Sequence, residues 1–299
     1  MRDRMDGVIV SAYGSPSGLR DVEAYYTNIL RGRKPSPAML EELTQRYAAI
    51  GGRSPLNEIT FRQAGALNEL LSSLGREMYV EVGMKYCAPF IGDALEKMRR
   101  EGVRRAVMLP LTPYNSTVSA DSYVEIARRY VNQNGIELEL TVPPSWHLNE
   151  HFLEYWERET RKNLKTESEV IFTAHSIPQK YDRAGEPYTS QIREVAGEIA
   201  KRLEIGYTVA FQSAGRTGEE WVGPDLLETL KTKSDAGAGN VLIVPIGFVS
   251  EHLEVLYDID IEAKKYAEER GMKLTRTRLP NDDPLFIKAL ADAVLAAVY

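Results

Sequence analysis

The sequence predicts an α/β fold of two similar halves, each a parallel sheet flanked by helices, with an interdomain cleft. Three observations lead there. Short β-branched apolar runs alternate along the whole chain with longer amphipathic stretches, the pattern of strand and helix in succession. The chain is internally duplicated: Val8-Ile9-Val10-Ser11-Ala12-Tyr13-Gly14-Ser15-Pro16 aligns with Val170-Ile171-Phe172-Thr173-Ala174-His175-Ser176-Ile177-Pro178 at an offset of 162 residues. A length of 299 residues, 43% of them apolar, is enough for two medium domains with a core each.

Taken in order, the β-branched runs predict strands over 8–13, 78–84, 105–109, 137–142, 169–174, 207–211, 240–245 and 273–278. Amphipathic stretches between them predict helices over 21–30, 37–50, 60–74, 89–101, 119–133, 149–164, 189–203, 225–232, 251–270 and 284–298. A second repeated pair supports the duplication. Val107-Met108-Leu109-Pro110 and its following helix match Ile243-Val244-Pro245 and the helix after it. The division is expected near 165–168, giving halves 1–165 and 166–299, with the last helix free to pack back on the first half. Functional loops of such sheets lie at the carboxyl ends of the strands. Tyr13 and His175, at equivalent strand ends, are therefore expected to face each other across the cleft, where ligand sites form.

A net charge of −6 argues against nucleic acid as the main partner. The first residues, Met1 to Asp6, do not read as a secretory signal, and no run approaches the ~18 apolar residues of a membrane-spanning helix. The single cysteine, Cys87, excludes an intrachain disulfide framework and an iron–sulfur cluster held by several thiolates of this chain. A cytoplasmic protein without an integral membrane segment is expected.

His175 follows an apolar run at the end of a strand, where an imidazole can accept a proton or bind a divalent metal near neutral pH. Bonded to a neighbouring backbone group, it would instead be structural. Glu254, Asp258 and Glu262 are spaced i, i+4, i+8. On an α-helix they form one stripe, each about 6 Å of rise from the next. The intervening Leu253, Val255, Leu256, Ile259 and Ile261 bury the helix, and carboxylates held there repel unless a cation is near. Read blandly, the stripe is a solvated face paired with Lys264 and Lys265. The repeat places Ser119 and Tyr123 opposite Glu254 and Asp258, so the acids belong to the second half alone.

A basic and aromatic group lies in the first half: Tyr25-Tyr26, Arg31-Gly32-Arg33-Lys34 and Arg46-Tyr47, with Gly51-Gly52-Arg53-Ser54 after them. Cations and hydroxyls of this kind hold carboxylates, unless the segment is an ordinary solvated loop. His147 and His151 read as surface or capping residues, His252 as structural or tuning, and Cys87 as a small core residue. There is no dinucleotide fingerprint and no phosphate-cradling glycine loop.

At these residues the chain resembles the ferrochelatase family. The resemblance rests on Thr173-Ala174-His175-Ser176-Ile177-Pro178, on Gly247-Phe248-Val249-Ser250-Glu251-His252-Leu253-Glu254, and on Gln212-Ser213 through Trp221-Val222-Gly223-Pro224-Asp225. It covers essentially the whole chain. The closer resemblance is to the coproporphyrin ferrochelatases of Gram-positive bacteria, through Ala12-Tyr13-Gly14, Tyr25-Tyr26-Thr27 and Arg46-Tyr47-Ala48. In relatives that use protoporphyrin the position of Tyr13 is typically not tyrosine.

The resemblance implies a monomeric lyase of haem biosynthesis with two Rossmann-like, chelatase-type halves. Its substrates would be coproporphyrin III and Fe2+, with no prosthetic group and a second divalent cation. A downstream haem-pathway enzyme would be a transient partner. His175 and Glu254 would be catalytic and bind iron, with Asp258 and Glu262 as the second-cation stripe. Tyr13, Arg31, Arg46, Tyr47, Ser54 and Tyr123 would contact the porphyrin. Two departures stand out: Leu30 sits where the family often has arginine, a role Arg31 could fill, and Tyr86 replaces a histidine sometimes found near the cleft. The rival readings are a protoporphyrin IX ferrochelatase, a cobalt chelatase of a reduced tetrapyrrole, and a non-catalytic haem or metal carrier.

Overall fold

The computed structural model describes residues 6–117, 119–215 and 218–298; most of the N-terminal segment read for a secretory signal lies outside them. The first elements are β1 (Asp6–Ala12), a 3-10 turn (Leu19–Asp21), α1 (Val22–Ile29), α2 (Pro37–Ala49), α3 (Leu56–Ser73), β2 (Met78–Met84), α4 (Ile91–Glu101), β3 (Arg105–Pro110), α5 (Ala120–Gln133) and β4 (Glu139–Thr141). Then come α6 (Glu150–Asn163), β5 (Ser168–His175), α7 (Gln179–Arg183), α8 (Tyr188–Leu203), β6 (Thr208–Gln212), α9 (Leu226–Asp235) and β7 (Asn240–Val244). A π-helix (Val255–Ala263), α10 (Lys264–Glu268), β8 (Lys273–Arg276) and α11 (Pro284–Val298) complete the chain.

The strands form two all-parallel four-stranded sheets, ordered β2-β1-β3-β4 and β6-β5-β7-β8. The second order repeats the first, strand for strand, which is the structural form of the duplication seen in the sequence. Val8, Ile9 and Val10 of β1 and Val170, Ile171 and Phe172 of β5 are at most 2% exposed. Strands buried on both faces read as continuous apolar runs, which is why β1 and β5 were visible as such. In the first sheet, Ile9 and Met108 pack with Ile91, Leu95 and Met98 of α4 and Tyr123 and Ala127 of α5.

The chain divides into two compact units. One runs to Pro113, with Thr117–Trp146 and the segment from Asn281 onward; the other comprises Tyr114–Ser116 and His147–Pro280. One difference from the sequence reading follows from packing. The second unit takes in α6, which lies against α8 and β7, so the division falls before α6 and not near 165–168. Arg202 of α8 grips Glu150 of α6 through two hydrogen bonds of 2.8 Å, and Tyr155 of α6 donates to the Arg278 carbonyl at 2.9 Å. The final helix belongs to the first unit. α11 buries Phe286, Leu290 and Val294, packs on α3, and is tied there by Gln63 donating to the Asn281 carbonyl at 2.7 Å and by the Arg62–Asp282 pair at 3.0 Å.

Helix starts follow local chemistry. Ser36, Asn149 and Asp225 cap α2, α6 and α9 by accepting from backbone N–H groups. One helix escaped the sequence reading. α7 has five residues and none buried, so it leaves no periodic apolar signal.

Candidate active site

In both sheets the first strand sits between the second and the third, so the connections leave it in opposite directions. That reversal opens a crevice at the carboxyl ends of the first and third strands, the usual ligand position of open parallel sheets. Tyr13 directly follows β1, and His175 ends β5.

The backbone around His175 is fixed on several sides. Tyr188 donates to its carbonyl at 3.0 Å, the Ser176 N–H reaches the Gln212 carbonyl at 2.8 Å, and the Ser176 hydroxyl reaches Val222 at 2.7 Å. His175 Nδ1 lies 2.5 Å from the Ser176 carbonyl oxygen. A carbonyl only accepts, so Nδ1 carries the hydrogen and Nε2 is the nitrogen whose protonation can change. Nε2 stands 3.5 Å from Glu254 Oε1.

His252 repeats this arrangement from the other side. Its Nδ1 donates to the Ser250 carbonyl at 2.9 Å, and its Nε2 stands 3.6 Å from Glu254 Oε2. One carboxylate is thus flanked by two imidazoles, each oriented by a backbone carbonyl. The loop that brings Glu254 here must pass close to β5. A Cβ on Gly247 would lie 2.5 Å from Cα and Cβ of Ala174, so glycine is required for that approach.

Burial alone would pull His175 down. The opposing charge and hydrogen bond of Glu254, helped by the Ser176 carbonyl and Asp258, win and raise it to about 9. For Glu254, burial pushes up, and the two imidazoles, His175 foremost, hold it well below the usual carboxylate range. Near neutral pH the pair is an imidazolium beside a carboxylate.

Directly after Glu254 the helix is of the π type, not the α-helix that the i, i+4, i+8 spacing implied. A π-turn closes at i+5, yet residues four apart still fall roughly on one side of the axis. Burial along that side differs: Asp258 is 5% exposed, while Glu262 is exposed. Asp258 accepts a hydrogen bond from the Ser213 hydroxyl, whose residue takes a left-handed φ of 61°. Glu262 does not share that buried position. Among the described residues, no three His, Cys, Asp or Glu side chains form a group that could hold a metal ion. His175 and Glu254 form a two-donor site. A tetrahedral ion roughly 2.0–2.2 Å from a nitrogen and an oxygen holds them roughly 3.4 Å apart, so the observed spacing suits a shared divalent ion.

In the first unit, Tyr13 is 41% exposed and its ring centroid lies 4.5 Å from that of Tyr86. Lys85, absent from the sequence reading, sits among three tyrosines, its Nζ 5.9, 5.1 and 5.2 Å from the ring centroids of Tyr13, Tyr86 and Tyr123. It donates to the Ser122 hydroxyl at 2.7 Å, and no carboxylate among the described residues hydrogen-bonds it. Burial and the nearby Arg31 charge lower its pKa against the pull of Glu125. Arg31 acts on Tyr86 too, so it belongs to this neighbourhood and stands at the end of α1 beside Leu30.

The remaining first-unit candidates are held more deeply. Tyr47 is buried, with its hydroxyl 3.1 Å from Ser15 Oγ and its ring edge-on to Tyr25. Ser54 is buried and accepts from the Leu56 N–H at the start of α3. Arg46, on α2, lies near enough to Tyr26 to influence it electrostatically. Tyr123 is a core residue with its ring turned to Lys85. His147 pairs with Glu194 at 2.8 Å, and the His151 N–H bonds the Asn149 cap. Lys85 was illegible because a lone lysine after a strand has no motif. The use of His252 was hidden because no spacing rule says that it shares a carboxylate with a residue 77 positions away in the sequence.

Two units built on parallel sheets, with an imidazole at a strand end beside a carboxylate, define a chelatase-type protein. The solved structure of SirB from Bacillus subtilis with Fe3+ superposes with a TM-score of 0.63 at 13% identity, covering 98% of this chain and 96% of that one, which establishes the fold. The ferrochelatase family model matches residues 5–298, and the chain belongs to the ferrochelatase family of enzymes. It is 40% identical to the coproporphyrin III ferrochelatase of Geobacillus sp. (strain WCH70), over 100% of this chain and 99% of that protein. With the coproporphyrin III ferrochelatase of Bacillus mycoides (strain KBAB4) it shares 42% identity over 97% and 96%. No helix among the described residues is long and apolar enough to cross a membrane.

Proposed function

We propose that this enzyme inserts Fe2+ into coproporphyrin III, releasing the two pyrrole protons. The observation that carries the chemistry is the His175–Glu254 pair: a titratable Nε2, its ring held by a backbone carbonyl at a strand end, 3.5 Å from the oxygen of a carboxylate at the start of the π-helix. The names of the relatives support the porphyrin. Fe2+ is a substrate in this reading, and a two-donor site suits an ion that must leave again. An imidazole and a carboxylate also accept Zn2+ and Co2+, so metal selectivity is incomplete.

Because His175 is held as an imidazolium, the arriving metal displaces its Nε2 proton, and binding tightens as pH rises. Once the metal moves to the macrocycle, the freed Nε2 accepts a pyrrole proton and Glu254 stabilises the imidazolium that forms. His252, which shares that carboxylate, carries this proton out, so that Nε2 can accept the second pyrrole proton in turn. Asp258 is the buried member of the acidic group and the residue proposed for a second cation.

Tyr13, Arg31, Arg46, Tyr47, Ser54 and Tyr123 are the proposed porphyrin contacts. Lys85 joins them as a carboxylate partner, since its ammonium is half-buried without an acidic hydrogen-bond partner. Coproporphyrin carries four propionates and protoporphyrin two, so cations here favour the former. Peripheral contacts of this kind can strain the macrocycle and expose a nitrogen lone pair. We read the protein as a cytoplasmic monomer without prosthetic group or iron–sulfur cluster, meeting a downstream haem-pathway enzyme transiently.

The test is an anaerobic assay of the purified protein with Fe2+ and each porphyrin, followed by the change from free-base to metalloporphyrin absorbance. Multiple turnovers with higher kcat/KM for coproporphyrin III are expected. Equal or reversed preference removes the substrate assignment, and saturation at one equivalent without turnover makes the protein a carrier.

A further inference from the structure

Arg276, at the end of the edge strand β8, uses all five N–H donors of its guanidinium. Nε donates to Asp260 Oδ1 at 2.7 Å and Nη2 to Asp260 Oδ2 at 2.7 Å. Nη2 also donates to Glu251 Oε2 at 2.8 Å, and Nη1 to Glu251 Oε1 and the Thr277 carbonyl, each at 3.0 Å. The side chain is 14% exposed and that of Glu251 18%. This is a double fork, the strongest geometry open to one arginine.

The two carboxylates bracket the metal-handling segment. Glu251 is the residue before His252 and three before Glu254; Asp260 is two beyond Asp258, inside the π-helix. We infer that Arg276 is a positioning residue, clamping both ends of this segment to β8 so that Glu254 and His252 keep their register against His175. The physical need lies in the helix type. A π-turn is a rare alternative to the α-helix, and relaxation to α-geometry would rotate the segment about its axis. Two anchors on one strand resist that rotation, whereas one would leave a pivot. The metal donors are held to a few tenths of an ångström only if their support does not turn, and a displacement near 1 Å at a reacting centre costs about 10²-fold in rate.

This inference rests on the proposed function for its turnover readout but not for its binding readout. Arg276→Lys keeps the charge and loses the fork, since an ammonium is a point donor. Asp260→Asn and Glu251→Gln each weaken one arm. With the full-length protein, kcat and both KM values are measured alongside Zn2+ affinity by calorimetry and the melting temperature.

For Arg276→Lys, assayed well below its melting temperature, kcat is expected to fall roughly 10- to 100-fold. Zn2+ affinity should weaken with it while KM for the porphyrin stays within about twofold, and the single-arm variants should fall between. A folded Arg276→Lys with unchanged kcat and Zn2+ affinity overturns the inference. So does a loss of activity that only follows the unfolded fraction. If that variant does not fold, Asp260→Asn decides by the same criteria. Should the unmutated protein bind Zn2+ yet fail to turn over coproporphyrin III, the functional reading falls, and the Zn2+ comparison alone judges the clamp.

Discussion

The two units share one strand order and place their distinctive side chains at the same topological point, yet the chemistry there is opposite in sign. After β1 stand a phenol, Tyr13, and the cations Lys85 and Arg31, with tyrosine rings around the ammonium. At the end of β5 stand an imidazole and a half-buried carboxylate, with Asp258 close enough to add its charge. The fold fixes where a ligand can be met, and the residue at that place decides which ligand. On the proposed function, the duplicated sheet keeps its architecture while one copy handles an anionic macrocycle and the other a cation.

The comparison breaks most easily at His175. His175→Ala should lower kcat for iron insertion by roughly 10³-fold or more while leaving porphyrin affinity within about twofold, because its task lies in the unit that handles metal. Fluorescence titration with coproporphyrin III separates the two effects, and near-normal turnover would end the division of labour.

Next in size is the pH dependence of metal binding. With His175 raised to about 9, one proton must leave for each ion bound, so Zn2+ affinity should rise about tenfold per unit between pH 6.5 and 8. Glu254→Gln removes the charge that raises the imidazole and should flatten this slope while cutting kcat sharply. The same linkage reaches stability. A group raised from 6.5 to about 9 on folding contributes stability that is fully present below pH 6.5 and lost as pH rises through 9. Glu254, depressed on folding, contributes stability that is lost only on strong acidification. Melting curves of His175→Ala should accordingly lose part of the wild-type decline between pH 6.5 and 9.

The smallest expected effect sharpens the other side. Lys85→Met should raise KM for coproporphyrin III by about 5- to 10-fold, leave kcat within about threefold, and leave Zn2+ affinity unchanged. A fall in Zn2+ affinity would show that the two units do not divide their tasks as proposed.

Much of this was legible in the sequence for a physical reason. A strand buried on both faces must be apolar throughout, so Val8–Val10 and Val170–Phe172 announced themselves, and the residues directly after them were the ones to watch. What stayed hidden needed side-chain geometry or backbone detail. The spacing of Glu254, Asp258 and Glu262 looks identical on paper whether the turn closes at i+4 or i+5, yet only Asp258 ends up buried. Arg276 lies on a strand 22 residues beyond Glu254, and no local pattern says which carboxylates it grips. The division between units was misplaced because α6 looks the same from sequence whichever sheet it covers.

The path of the chain between the units has a consequence for how the molecule is made. The unit that carries Tyr13 and Lys85 begins at the first strand but takes its last helix, with Phe286, Leu290 and Val294 buried, from the final residues. The other unit takes Tyr114, whose hydroxyl donates to the Ile246 carbonyl at 2.8 Å, from far upstream. Neither can be cut out as a contiguous fragment. During synthesis the unit that carries His175 has all of its residues once Pro280 has left the ribosome, whereas the unit that carries Tyr13, though started first, waits for α11.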